Sequence, residues 1–160
     1  MEFLVKDAFA QTDKMRPVGP VGQAYIKVIG CGGAGNNMVS WLYKKGIKGA
    51  EIYACNTDSQ HLEISNADKK FLMGKEVTRG LGCGGFPQKG TDAAQESMQE
   101  IKDAVKGADM VFVCAGMGGG TGTGSAPVIA RAAKDVGSIV IGTVTMPFKI
   151  ERARVDKAEF

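Results

Sequence analysis

The sequence predicts an α/β protein, a doubly wound parallel sheet with helices on both faces, and three observations carry that prediction. The runs Met110–Ala115 and Ile139–Val144 are apolar throughout, as strands are when both faces of a parallel sheet are covered. From Ala24 onward, strand-like and helix-like periods alternate, the pattern of β-α-β units wound in the right-handed sense. Finally, more than half of the 23 glycines fall within residues 30–35, 80–85 and 116–124. Outside those loops the chain is ordinary, which excludes collagen-like and low-complexity readings.

Taken in order, residues 1–22 read as an N-terminal extension. Phe3, Leu4 and Phe9 form a short amphipathic stretch before Pro17-Val18-Gly19-Pro20-Val21-Gly22, which suits a linker or surface strap and no regular element. Residues 23–160 read as one domain. Tyr25–Ile29 is the first strand; Asn36–Lys45 is a helix with Met38, Trp41, Leu42 and Lys45 at helical spacing and Gly46 as its stop, so Trp41 is expected in the core. Glu51–Asn56 and Lys70–Met73 are the second and third strands. A glycine-rich loop spans Lys75–Gly90, followed by a helix over Thr91–Lys106 with Met98, Ile101 and Val105 on one face, Asp92 in the first turn and Gly107 beyond its end. Ser125–Asp135 is the helix between the two apolar strands. Arg152–Phe160 begins a helix that stops without glycine or cap, so the chain reads either as one half of a larger architecture or as a longer chain cut short.

Composition narrows the function. At 160 residues, 44% hydrophobic and 23% charged, the chain can bury one good core. A net charge of +3 with no block of like charges argues against a nucleic-acid partner; Lys44/Lys45 and Lys69/Lys70 read as solvated element ends. No signal-peptide core and no run of 18 apolar residues is present, so a cytoplasmic protein without membrane insertion is expected. Cys31, Cys55, Cys83 and Cys114 contain no CxxC, which predicts free thiols in a reducing compartment and no metal site. His61 stands alone, and no catalysis is assigned to it.

The chemistry lies in the glycine loops. Gly30-Cys-Gly-Gly-Ala-Gly35 satisfies GxGxxG between a strand and a helix, and Asp58 follows 23 residues later. That permits a Rossmann-like NAD(P)- or FAD-binding oxidoreductase domain. Gly116-Met-Gly-Gly-Gly-Thr-Gly-Thr-Gly-Ser125 favours another reading: it follows a buried strand, precedes a helix and offers unobstructed N–H groups with the hydroxyls of Thr121 and Thr123. A second phosphate loop of this size does not suit a dinucleotide enzyme, and the lysine of GxxxxGK[ST] is absent. A non-binding interaction module is a third class, supported by nothing beyond the incomplete architecture.

These loops, together with Cys31-Gly-Gly-Ala-Gly-Asn-Asn37, Asn56-Thr57-Asp58, Gly80-Leu-Gly-Cys-Gly-Gly85 and Pro147-Phe148, resemble the tubulin/FtsZ superfamily of GTPases, in its FtsZ branch and of archaeal type. The resemblance runs from about Ala24 to the C-terminus. It implies GTP or GDP as ligand, Mg2+ with GTP, and a Rossmann-like GTPase fold. Gly32, Gly33, Ala34, Gly35, Asn36 and Asn37 would hold the α/β-phosphate and base side. Asn56 and Asp58 would line the pocket by the second strand. Cys83, Gly84 and Gly85 would close over the γ-phosphate, and Gly116, Gly118, Gly119, Gly120, Thr121, Gly122, Thr123 and Gly124 would cradle the β/γ-phosphates. Glu151 would accept from the ribose and Arg154 would meet the ribose or the base, although the family carries Glu-Gly with an arginine four residues on, where this chain has Glu151-Arg152 and an arginine three on. The resemblance also implies filament assembly at a division site, other division proteins as partners, and hydrolysis by acids of a C-terminal half. No catalytic residue is expected in this chain, so turnover would need self-association or a complementary C-terminal half.

Overall fold

A computed structural model describes residues 22–159; the N-terminal extension expected over 1–22 lies, save Gly22, outside them. Five parallel strands form one sheet in the order β3-β2-β1-β4-β5. They are β1 (Ile26–Cys31), β2 (Ala50–Asn56), β3 (Lys69–Leu72), β4 (Met110–Gly116) and β5 (Ile139–Thr145), each within about two residues of its expected limits. The helices are α1 (Gly32–Lys44), α2 (Ser59–Ile64), α3 (Lys75–Thr78), α4 (Pro87–Glu96), α5 (Met98–Val105), α6 (Thr121–Asp135) and α7 (Ala153–Ala158), with a 3-10 turn at Lys149–Glu151.

Strand alternation explains the two cores. Successive side chains leave opposite faces: Ile29, Val111 and Val113 pack with Ile101, Val105 and Ile129, while Val28, Ile52 and Ala54 pack with Val39 and Leu62. The chain runs outward from β1 to β3 on one side, then returns to the centre and continues through β4 to β5. The order therefore reverses between β1 and β4, where an open parallel sheet forms its crevice beyond the strand ends.

Three expectations need correction. Continuous hydrophobicity placed β5 under cover on both faces, yet Ile139, Ile141 and Val144 are exposed, because among the described residues β5 is the edge strand and pairs with β4 alone. Trp41, expected in the core, is 60% exposed; Val39 fills that position, and Trp41 lies under Lys45 Nζ at 5.1 Å. The helix expected over Thr91–Lys106 is α4 and α5, separated at Ser97, whose hydroxyl accepts from Gly74 N at 3.0 Å. α4 starts inside the expected 75–90 loop, α3 lies wholly within it, and the short helix α2 carried no distinct periodic signal.

Candidate nucleotide-binding site

The first glycine run is hardly a loop. β1 ends at Cys31 and α1 begins at the next residue, with Gly32 at φ +69° making the turn. A side chain on Gly35 would meet the Cys114 carbonyl of β4, and a Cβ on Gly30 would lie 2.6 Å from Val39 Cγ2. These glycines thus let α1 settle directly on the sheet. Asn36 is fully buried, and with its amide nitrogen turned to the two carbonyls it donates to Gly30 O at 2.8 Å and Cys55 O at 3.1 Å. It clamps α1 to β1 and β2. Gly33, Ala34 and Asn37 face outward.

The second run differs from its expected form. α6 begins at Thr121 rather than Ser125, so the free segment shrinks to 117–120. Five of its six glycines are required by packing. A Cβ would reach Ala34 Cβ at 2.5 Å from Gly116, Arg154 O at 2.6 Å from Gly118, Cys83 Cβ at 2.7 Å from Gly120, Gly116 O at 2.9 Å from Gly122, and the Pro87 carbonyl from Gly124. Only Gly119 faces open space, with nothing within 4 Å. The expectation that the whole run clears room for a ligand is therefore amended: four segments converge here, and glycine is what lets them.

What remains open is backbone. Neither α1 nor α6 has a side-chain cap or an acidic residue in its first turn, so their leading N–H groups lack partners within the helix. Each terminus carries roughly half a positive charge, and a Cβ on Gly32 would lie 2.8 Å from Gly122 N. Two dipole ends thus meet at the crevice. Thr123 Oγ1 is not free, since it accepts from Gly118 N at 3.0 Å, and Met117 N donates to Thr145 O at 2.9 Å.

Other expected residues are partly engaged. Buried Asn56 Oδ1 accepts from Thr57 N at 2.9 Å and Asp58 N at 3.3 Å, and Asp58 caps α2 by accepting from His61 N at 3.1 Å. His61 Nε2 borders the α1 terminus, 3.9 Å from a Cβ placed on Gly33. Glu151 accepts from Phe148 N at 2.9 Å and pairs with Arg154 at 3.0 Å. Gly84 and Gly85, at φ +59° and +76°, carry the 83–86 turn past α6. Two neighbours escaped the sequence reading. Lys157 Nζ stands 3.4 Å from a Cβ placed on Gly85 and 5.5 Å over Phe86; no periodicity signals that. Thr57 Oγ1 lies 2.6 Å from Thr121 Oγ1, and its place between Asn56 and Asp58 was the available clue.

The cysteines gather at the same sheet edge, Cys31 opposite Cys55 and Gly30 opposite Cys114. All four are buried. The Cys55 thiol is pushed up by the facing Cys31 thiol and by burial, and the Cys114 thiol by burial to about 11.

Two uncapped helix termini at the strand-order reversal of a parallel sheet define the class: an α/β domain of nucleotide-binding architecture. A model of the tubulin/FtsZ family, GTPase domain, matches residues 25–160. The chain belongs to this family of guanine-nucleotide-binding GTPases. It is 57% identical over 157 residues to cell division protein FtsZ 2 of Methanocaldococcus jannaschii, covering 98% of this chain and 41% of that protein. It is 54% identical to FtsZ 2 of Haloferax volcanii, covering 86% and 34%. Among solved structures, an empty FtsZ dimer from M. jannaschii superposes with a TM-score of 0.83 at 47% identity, covering 95% of this chain and 43% of that one. A GTPγS-bound protofilament of CetZ2 from H. volcanii gives 0.65 at 30% identity, covering 74% and 39%. The chain spans between about a third and two fifths of the length of the curated relatives it matches.

Proposed function

We propose that residues 23–160 form the GTP-binding domain of an FtsZ-like cell-division protein, with nucleotide held where α1 and α6 converge. The observation that carries this reading is the pair of uncapped helix termini facing one crevice. Gly32–Asn37 take the α/β-phosphate and base side, Gly116–Gly124 the β/γ-phosphates, and Cys83–Gly85 the γ-phosphate. Asn56, Asp58, Glu151 and Arg154 border the pocket. The phosphates fit the residues present: the cradle is neutral backbone, open at Gly119 and bordered by His61 at Gly33, and two dipoles oppose the ligand's charge. GTP would bring Mg2+ with it, which would offset part of the phosphates' charge. Calorimetric titration of the purified chain tests this: GDP and GTP bind with one-to-one stoichiometry and NAD does not compete. Binding of NAD without GDP would overturn it.

Turnover and assembly belong to a larger unit. The exposed apolar strip of Ile139, Ile141, Val144 and Met146, and relatives more than twice as long, support a complementary C-terminal half that covers β5 and brings the hydrolytic acids. The empty dimer and the CetZ2 protofilament among the relatives support self-association through filaments, with hydrolysis at subunit interfaces. The chain alone then binds GTP, turns it over far more slowly than a full-length relative, and does not sediment with it. Filaments or full turnover from the lone chain would refute the split.

A further inference from the structure

Three segments distant in sequence meet through hydroxyl and thiol groups under the crevice. Thr57 directly follows β2, Cys83 lies between α3 and α4, and Thr121 is the first residue of α6. Thr57 Oγ1 lies 2.6 Å from Thr121 Oγ1 and 3.3 Å from Cys83 Sγ, and Thr121 Oγ1 is placed to donate to the same sulfur at 3.5 Å. Thr57 is wholly buried, Cys83 nearly so, and Thr121 reaches the opening. The Thr57 backbone is fixed on both sides: its N–H donates to Asn56 Oδ1, and its carbonyl accepts from Gly82 N at 2.9 Å and Thr78 Oγ1 at 3.2 Å.

Each of the three groups has one proton and can also accept. If Thr121 donates to Cys83 Sγ or to Thr57, its proton is spent inside the protein. If Thr57 donates to Thr121, the Thr121 proton is released toward whatever sits at the α6 terminus, and the Cys83 thiol supplies the weak donor that Thr57 then accepts. An anion selects the second arrangement, because a hydroxyl that is itself accepting makes a stronger donor.

We infer that Thr57 is a positioning residue for phosphate binding: its hydroxyl holds and polarises that of Thr121, so that Thr121 donates to a phosphate oxygen, and it ties the 83–86 turn to the same event. This rests on the nucleotide reading above and adds to it a buried residue that never touches ligand.

The test compares GDP with guanosine, which lacks the phosphates, using the whole chain. Thr57→Val keeps the volume and removes the hydroxyl; it is expected to weaken GDP binding roughly tenfold, as for one hydrogen bond to a charged group, and to leave guanosine binding unchanged. Thr57→Ser restores most of the loss. Equal weakening of both ligands, or of neither, overturns the inference. A second measurement needs no variant: in the unsubstituted chain, GDP shifts the methyl resonances of Thr57 and Thr121 together, whereas guanosine moves neither. A silent Thr57 methyl with GDP bound also overturns it. Failure of the unsubstituted chain to bind GDP at all is a different result, and it removes the nucleotide reading itself.

Discussion

The two ends of the sheet handle polar groups in opposite ways. At the amino end, side chains do everything: Lys27, only 4% exposed, donates to the carbonyls of Ala104 and Lys106 at 2.8 and 3.0 Å, closing α5, and lies 3.8 Å from Glu51. Glu51 in turn pairs with Lys69 at 2.7 Å and accepts from the hydroxyls of Tyr25 and Tyr53. At the carboxyl end the crevice is lined by glycine and backbone, and two helix termini are left uncapped. The amino end is saturated and the carboxyl end is not. Buried polar groups are stable only when satisfied, so a folded domain leaves donors open only where water or a ligand can reach them.

The largest expected effect breaks the carboxyl end outright. Gly35→Ala drives a methyl into the Cys114 carbonyl, so α1 must lift from the sheet, at a cost of about 3 kcal/mol or more by the scale of overpacked cores. Chemical denaturation should show it, with nucleotide binding lost in parallel. At the amino end, Lys27→Met strips the Ala104 and Lys106 carbonyls at the end of α5 of their donor, but Glu51 keeps Lys69 and both tyrosines. The loss should therefore stay near 1–3 kcal/mol, with nucleotide affinity unchanged.

Gly119→Ala sharpens the contrast from the other side. Nothing lies near its Cβ, so stability should hold within about 0.5 kcal/mol, while GDP affinity falls roughly tenfold by displacement of one charge-assisted hydrogen bond. A stability loss without an affinity loss would place Gly119 among the packing glycines.

pH separates the ends again. Burial pushes the Glu51 carboxyl up, but hydrogen bonds from Lys69, Tyr25 and Tyr53 outweigh it and leave its pKa below the usual value. A depressed carboxyl stabilises the fold above its unfolded pKa, and that contribution fades as pH falls through the folded one. Tyr25 is pushed up to about 12 by burial and by Glu51, so its contribution is present below pH 10 and lost as pH rises toward 12. Urea midpoints across pH should fall at both extremes, and Glu51→Gln should flatten the acid limb. The smallest effect is that of Trp41→Ala: mostly exposed, it loses one cation–π contact with Lys45, worth about 0.5–1 kcal/mol.

Much of this was legible in the chain. Continuous apolar runs located β4 and β5, and glycine clustering marked the carboxyl edge, because backbone period and glycine placement are local properties. Helix starts were read too late at α1, α4 and α6, since a first turn built from glycine or polar residues carries no hydrophobic period. Trp41 was misplaced for a related reason: periodicity names a face, and neighbouring Val39 took the buried position.

By itself, the sequence determined the parallel α/β class and the family. Tertiary structure alone decided which glycines serve packing and which face open space, since a missing side chain has no visible purpose until its neighbours are in place. It also decided that β5 lies open and that Thr57, Cys83 and Thr121 meet. The physical reason is the same in each case: close contacts between distant segments depend on register and packing, and neither is written in local pattern.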